Sequence, residues 1–479
     1  MRKTAGHYGT FPATPLGMRQ TIHAPWDGAP LGDVELADAA KAERATLNAV
    51  KAFDAVRAMP SHARRDALRK IARAIESRSE ELAKKLALEA GKPIVFGRAE
   101  VARAVSTFDI ASEEATRMTG EIMPLDVTPA GDGYTGMWRR VPRGPVVAIA
   151  PFNFPLNLVA HKVAPALACG ASIVLKPAPQ TPLIALELEA IVRESGFPEH
   201  ALQILPCDVP VAEKLVKDDR FATLSFTGSA AVGWHLKSIA GKKRVLLELG
   251  GNAAAIVHED VDTDFAAKRI TSAAFGYAGQ VCIKVQRLYV HEPIATAFVD
   301  RIVAAARAQE PRAPLEDGIL SCLIDEKSAV RISSWVDEGK QRGARTLATA
   351  ERDGSKLGAI VLGFDGDGRG AKVVDEEVFG PVLTVHRYAK FEDALAMADA
   401  TRYGLQAGLF TDSVARVELA FERMHVGGLV VGDAPSFRVD SMPYGGTRDS
   451  GLGREGVRFA IEEMTEHKLL VVRRQQASS

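Results

Sequence analysis

After Arg140 the chain alternates short apolar runs with longer helical stretches, and this pattern limits its fold more than any other feature. A first block holds Val146–Ala150, Ser172–Leu175, Leu202–Leu205, Thr223–Phe226 and Val245–Leu247. A second, from near Ala253 to about Val431, holds Ala254–Val257, Arg287–Val290, Ile360–Leu362, Val382–Val385 and Leu429–Val431. Strands separated by helices pair in parallel, and parallel sheets are covered on both faces. An α/β chain with two parallel-sheet lobes is therefore expected, with ligands gathered at the carboxyl ends of strands.

Two segments do not fit the alternation. Gly120–Arg140 and Lys468–Arg473 read as strands without intervening helices, which predicts that they pair with each other outside both lobes or with another subunit. From Ala42 to Thr116 the period is helical: Leu47, Val50, Phe53 and Val56 recur at about one turn, Pro60 ends that run, and three helices follow one another. Ser77 and Glu80 have capping-box spacing for the stretch to Ala90, closed by Gly91 and Pro93.

Composition removes several function classes. The 479 residues carry 60 Lys+Arg against 60 Asp+Glu, so a polyanion such as nucleic acid is not the expected partner. With 47% hydrophobic and 25% charged residues the chain is neither disordered nor fibrous. Cys169, Cys207, Cys282 and Cys322 are too few and too scattered for a disulfide framework, and none forms a C-x-x-C pair, so no metal site is expected. Met1–Gln20 has no apolar block of the secretory kind, and Val146–Leu175 is interrupted by Pro151, Asn153, Pro155, His161, Lys162 and Pro165. A cytoplasmic protein without a membrane span is the economical reading.

Several short motifs could carry chemistry. Cys282 ends Phe275-Gly276-Tyr277-Ala278-Gly279-Gln280-Val281-Cys282, where small residues leave the thiol uncrowded. A lone cysteine is ordinarily a small buried hydrophobe, and nucleophilic use needs a thiolate and an acyl site. Glu248 follows a strand and precedes Gly250-Gly251, a place from which a carboxylate could act as base; a capping or surface role competes. Asn153 sits between Phe152 and Phe154, where a turn-forming asparagine is the alternative. Phe226-Thr227-Gly228-Ser229 closes a strand and opens a helix containing Gly233, which would aim backbone N–H groups at an anion, although the spacing is not G-x-G-x-x-G. Lys176-Pro177-Ala178-Pro179, also after a strand, could set an ammonium near a cofactor or leave it solvated.

The order and separation of these pieces resemble the aldehyde dehydrogenase superfamily over nearly the whole chain. The likeness rests on Pro151-Phe152-Asn153-Phe154-Pro155, Lys176-Pro177-Ala178, Phe226–Ser229, Glu248-Leu249-Gly250-Gly251, Gly279–Cys282, Glu376-Glu377-Val378-Phe379-Gly380-Pro381 and Ser450-Gly451-Leu452-Gly453-Arg454-Glu455. The resemblance implies that Cys282 attacks the aldehyde carbonyl, that the Asn153 side chain and Cys282 N–H hold the oxyanion, and that Glu248 activates the water that hydrolyses the thioester. Lys162 and Glu455 match positions that support proton movement, or else form a structural ion pair. NADP or NAD is the implied cofactor, with Glu377 and Phe379 at the nicotinamide ribose and ring. Ala150, Pro151, Phe152, Lys176, Pro179, Gly228, Ser229, Gly233 and Leu249 fall along the rest of that site. The implied fold has a cofactor-binding domain over 1–119 and 141–249, a catalytic domain over 250–440, and bridging, oligomerising segments over 120–140 and 441–479, with a homodimer or homotetramer as the assembly.

One departure concerns the cofactor. Where the family commonly has Lys-Pro-Ala-Glu or Lys-Pro-Ser-Glu, this chain has Pro179. A carboxylate there would bind the adenosine ribose diol and repel a 2′-phosphate; proline does neither, so NADP⁺ is expected to be accepted, with Lys176 near the phosphate. For the substrate, alignment along the family from Gly120 and from Pro443-Tyr444-Gly445-Gly446 puts Arg103, Arg438 and Tyr444 on the funnel. Two guanidinium groups suggest an anionic aldehyde. Val281 before the nucleophile, where phosphate and phosphonate members often have arginine, tilts the choice toward a carboxylate such as succinate semialdehyde. Phosphorylated, phosphonate and lactaldehyde-like substrates are the alternatives. Glu248 argues against a CoA-acylating enzyme, and the full set of motif residues argues against a catalytically silent binding protein.

Overall fold

The computed structural model describes residues 17–474, so most of the Met1–Gln20 stretch lies outside it. The first sheet is built from β1 (Val146–Ile149), β2 (Ile173–Lys176), β3 (Leu202–Ile204), β4 (Thr223–Thr227) and β5 (Arg244–Glu248). Their order is β5-β4-β1-β2-β3, all parallel, with Gly451–Leu452 added antiparallel beside β5. The second contains β6 (Ala254–Val257), β7 (Arg287–His291), β8 (Arg345–Ala348), β9 (Ile360–Gly363), β10 (Val382–Tyr388), β11 (Gln406–Phe410) and β12 (Gly428–Val431). Its order is β8-β9-β10-β7-β6-β11-β12, parallel except for β8. Most of the continuous apolar runs thus become strands covered on both faces, as their composition requires, the exception being the edge strand β12, where Val431 is exposed.

The strands outside the alternation pair with one another. Thr465–Arg473 runs antiparallel to Tyr134–Pro142, from Thr465↔Pro142 to Arg473↔Tyr134, and Gly120–Pro124 lies on the other side of that strand. Leu469, Leu470, Val471 and Val472 of the outer strand are all about half exposed.

The amino-terminal helical stretch folds as α1 (Ala39–Ala58), α2 (Ser61–Ser77), α3 (Ser79–Ala90) and α4 (Ile94–Glu114). In α1 the buried face is Ala42, Ala45, Ala49, Ala52 and Val56, while Leu47 and Val50 point outward. Small side chains let this helix lie close to Val147, Val174 and Leu205, so the seam is set by size rather than hydropathy. The capping box at Ser77 and Glu80 does not form. Ser77 ends α2, its hydroxyl donating to the Ala74 carbonyl, and the break falls at Arg78, which is pinned by Glu81 and Glu187. Gly91 does terminate α3, with φ +60. No helix among the described residues is long and apolar enough to cross a membrane.

Candidate active site

The loops leaving β1, β2, β4 and β5 face the loops entering β7 and β10, so the carboxyl edge of the first sheet opposes the amino edge of the second. The junction holds a funnel, about 780 Å³ with its open mouth, lined by Asn153, Glu248 and Cys282 together with Arg103, Arg438, Tyr444 and Glu455. Residues 153, 248 and 282 therefore share one cavity.

Cys282 is positioned by an unusual backbone. Tyr277 and Ala278 both adopt φ +51, and a side chain at Gly279 (φ +65) would meet the Gly380 carbonyl at 2.2 Å. Left-handed conformation in two non-glycine residues is costly and persists only when neighbours enforce it. Gln280 supplies that enforcement: its amide donates to the Cys322 carbonyl at 3.2 Å and accepts from Ile324 N–H at 2.8 Å. Its own carbonyl accepts from Asn153 Nδ2 at 2.9 Å, which ties the amide to the loop carrying the thiol and leaves one Asn153 N–H for another acceptor.

Burial pushes the Cys282 thiol up to about 11, opposed by the Tyr444 hydroxyl 3.0 Å from Sγ. Tyr444 and Glu455 exchange a pair of backbone hydrogen bonds, so the two side chains stand together at the funnel wall. The Arg438 guanidinium lies 3.7 Å from the Tyr444 ring centroid and pairs with Glu455 at 2.9 Å. The other Glu455 oxygen accepts from Lys162 at 3.4 Å, and Lys162 also donates to Thr227 at 2.7 Å and Ser225 at 3.2 Å. Burial opposes ionisation of Glu455, yet Lys162, His161 and Arg438 together hold its carboxyl low. Glu248 is the opposite case. Neither of its oxygens has a hydrogen-bond partner, and burial, then the Glu455 charge, push its carboxyl well above the usual range. Gly445, at φ +155, keeps this place open, because a side chain there would approach Glu248 Oε1 at 2.9 Å.

Both arginines expected on the funnel line it, but neither presents a free fork. Arg438 is paired as above and almost buried; Arg103 grips Asp440 through Nη2 at 2.7 Å and Nε at 3.3 Å. Arg103 keeps 28% of its side chain exposed, so it is the guanidinium that an incoming anion can reach.

A second cleft, about 1290 Å³ with its mouth, continues along the first sheet past Ala150, Pro151, Phe152, Lys176, Pro179, Gly228, Ser229, Glu377 and Phe379. Ser229 is the N-cap of the Ala230–Ile239 helix, whose first-turn N–H groups have no intrahelical partners. Lys176 is nearly buried and donates to the Pro177 carbonyl at 3.1 Å. Glu377 stands between cleft and funnel; it accepts from Gly251 N–H at 3.1 Å, and burial pushes it up to about 7. Phe379 (φ +51) meets Phe152 edge-on at 5.8 Å. Leu249 lines the funnel instead of this cleft. Gly233 lines neither: a side chain there would overlap Leu249 at 2.3 Å, so this glycine serves helix–strand packing.

The sequence profile of the aldehyde dehydrogenase family matches residues 15–470. The chain belongs to this family. A relative named 3-sulfolactaldehyde dehydrogenase, from Priestia aryabhattai, is 42% identical over 85% of this chain and 86% of its own length. Aldehyde dehydrogenase 21 from Physcomitrella patens, solved with the reaction product succinate, superposes with a TM-score of 0.93 at 40% identity, covering 97% of this chain and 96% of that one. The glyceraldehyde-3-phosphate dehydrogenase of Methanocaldococcus jannaschii, solved with NADP, gives 0.90 at 33% identity over 95% and 99%.

Sequence reasoning missed Asp440, which accepts from Arg103, His161 (2.8 Å) and Asn157 (3.2 Å), and Arg331, which lines the larger cleft and donates to the Val378 carbonyl. It also missed Glu100, which pairs with buried Lys92 and accepts from Leu156 and Asn157 N–H, fixing the start of the helix after Asn153. Each acts through partners distant in sequence, so no local motif announces it.

Proposed function

We propose that the chain oxidises a short anionic aldehyde to its carboxylic acid, with Cys282 as nucleophile and NADP⁺ or NAD⁺ as coenzyme. The observation that carries the reading is the shared cavity of Cys282, Asn153 and an unpartnered Glu248. The larger cleft suits a dinucleotide: a helix N-terminus and the Lys176 ammonium answer phosphate charge, and the Glu377 carboxylate answers ribose hydroxyls. When bound, the nicotinamide supplies the hydride acceptor. Cys282 Sγ bonds to the carbonyl carbon after losing its proton to Glu248, and the resulting oxyanion accepts from Asn153 Nδ2–H and Cys282 N–H, a type of donor worth about 3 kcal/mol. Glu248 releases the Cys282 proton to solvent, then takes a proton from the water that attacks the thioester and hands it to Sγ, which leaves as the thiol. Burial and the Glu455 charge raise the Glu248 carboxyl against the pull of Arg438 and Lys162, so the ionised form that begins each step is a strong proton acceptor.

For the substrate, the partly exposed Arg103 supports a carboxylate such as succinate semialdehyde. The identity with the sulfolactaldehyde enzyme supports a second reading, a sulfonate in the same position. Both groups are oxyanions that a guanidinium fork accepts. We assign residues 120–140 and the tail to a homo-oligomeric contact, supported by the half-exposed apolar run Leu469–Val472 of the strand Thr465–Arg473. Steady-state rates with succinate semialdehyde, sulfolactaldehyde, lactaldehyde, glyceraldehyde 3-phosphate and a neutral aldehyde, each with both coenzymes, test the assignment. Equal kcat/KM for the neutral and anionic substrates would overturn the anionic reading.

A further inference from the structure

The two loops that carry the proposed chemistry come from different sheets: Phe154 follows Asn153 on the loop leaving β1, and Tyr277 stands shortly before Cys282 on the segment entering β7. The Asn153–Gln280 hydrogen bond joins these loops at one point, and a single hydrogen bond holds a distance more firmly than an orientation. Behind them lies Lys92, in the turn between α3 and α4, with its side chain fully buried. Its ammonium stands 3.9 Å from the centroid of the Phe154 ring and 4.4 Å from that of Tyr277, in the corner that these rings make by meeting edge-on at 6.2 Å. Its hydrogen-bond acceptor is Glu100 of α4, itself buried. An ammonium has three donors, so two remain for the negative faces of the rings. Burial disfavours the Lys92 charge, and the Glu100 carboxylate opposes that.

The same group of residues holds both loops at other points. The second oxygen of Glu100 accepts from Leu156 N–H at 2.9 Å and Asn157 N–H at 3.0 Å, which fixes the chain just beyond Asn153. The Tyr277 hydroxyl donates to the Ala90 carbonyl at 3.1 Å, so the α3–α4 turn grips this ring at its face and at its tip. Tyr277 is left-handed at φ +51, a conformation that needs such outside support. Phe154 in turn lines the funnel.

Core packing does not explain the ion pair. Apolar residues of the same volume would fill the space without desolvating two charges, and buried ion pairs replaced in that way are often neutral or stabilising. A cation does what a methylene cannot: it attracts two ring faces at once, and so sets where Phe154 stands relative to Tyr277.

We propose that Lys92 is a positioning residue for the reaction: by holding the Phe154 and Tyr277 rings to one ammonium, it sets the second Asn153 N–H where the oxyanion forms beside Cys282. The inference rests on the reading of Asn153 as an oxyanion donor. A displacement of about an ångström at such a group costs on the order of 10²-fold in rate.

The test is a double-mutant cycle on the rate of coenzyme reduction in a single turnover, with whichever of the aldehydes named above gives the highest kcat/KM. Lys92→Met is paired with Glu100→Gln so that no uncompensated charge is buried, and glutamine keeps the oxygen that Leu156 and Asn157 need. This variant should slow the step about 10- to 100-fold in the parent, with coenzyme Kd and aldehyde KM within about threefold. Asn153→Ala alone should slow it about 10²- to 10³-fold, and adding the Lys92 variant to it should cost less than about threefold more, because the group being positioned is gone. Fluorinated phenylalanines at position 154 leave both buried charges in place and weaken the face of the ring. Each added fluorine should slow the step further in the parent and not in the Lys92→Met/Glu100→Gln protein. An undiminished Lys92 effect in the Asn153→Ala background, or a parental rate indifferent to fluorination, would overturn the proposal. Asn153→Ala at the parental rate would instead remove the oxyanion reading, and the proposal with it.

Discussion

Arg103 and Asp440 form a two-pronged ion pair at the funnel wall, and the same Asp440 oxygen that meets Arg103 Nη2 at 2.7 Å also meets His161 Nε2 at 2.8 Å. The carboxylate aims the guanidinium and cancels much of its charge until the proposed anionic substrate arrives. Arg103→Ala should therefore do two things at once: remove the anion's partner and leave Asp440 facing it. KM for succinate semialdehyde is expected to rise about 10- to 100-fold with kcat little changed, and KM for a neutral aldehyde by less than about threefold. The double variant Arg103→Ala/Asp440→Asn should recover part of the loss, because the repelling carboxylate is gone. Equal KM increases for charged and neutral substrates would count against this role.

Glu248 has no hydrogen-bond partner, so its loss should touch chemistry more than folding. Glu248→Gln is expected to lower steady-state turnover about 10²- to 10⁴-fold while melting within a few degrees of the parent. With thioester hydrolysis slowed most, rapid mixing should reveal a burst of up to one reduced coenzyme per active site. Because burial and the Glu455 charge raise this carboxyl, wild-type turnover should increase with pH through the raised value and then level off. Absence of both the burst and the pH dependence would assign the base to another group.

The two sheets were legible because a parallel strand is apolar on both faces, which turns Val146–Ile149 or Ala254–Val257 into an unbroken run in one dimension. Asn153, Glu248 and Cys282 were legible because each sits in a short motif that loop geometry enforces, such as Gly279 against the Gly380 carbonyl. Asp440 was not, since its meaning comes from Arg103, His161 and Asn157, which arrive from other helices. Helix α1 shows a different failure: hydropathy ranked Leu47 and Val50 above alanine, but close packing on the sheet selected the alanine face.

Coenzyme choice should turn on Pro179, which lines the larger cleft with Lys176. Pro179→Glu would place a carboxylate where it can accept from a ribose diol and repel a 2′-phosphate. The ratio of kcat/KM for NADP⁺ over NAD⁺ is expected to fall by about tenfold or more, a shift of about 1.4 kcal/mol. Lys176→Met should lower the same ratio by reducing the NADP⁺ value alone. A wild-type ratio strongly favouring NAD⁺ would defeat the argument from this position.

The outer edge of Thr465–Arg473 should require a second copy of the chain, since its partner strand lies only on the Tyr134–Pro142 side. Leu470→Lys combined with Val472→Lys puts charge into that apolar strand and should convert a dimer or tetramer into smaller species by sedimentation velocity. Unchanged sedimentation would move the contact elsewhere.

Glu377 gives a stability prediction with a definite sign. Its carboxyl rises from 4.5 to about 7 because burial disfavours the charge, against the hydrogen bond from Gly251 N–H. Between those values the folded protein holds a proton that the unfolded chain has released. The contribution is present below pH 4.5, declines as pH rises through the window, and is gone above about 7. Coenzyme-free protein should therefore lose melting temperature between pH 5 and 7, and Glu377→Gln should lose less over the same range. Glu89, pushed up to about 7 by its own burial, titrates in both proteins and cancels in the difference. Parallel pH curves for the two proteins would show that Glu377 is already ionised in the folded state.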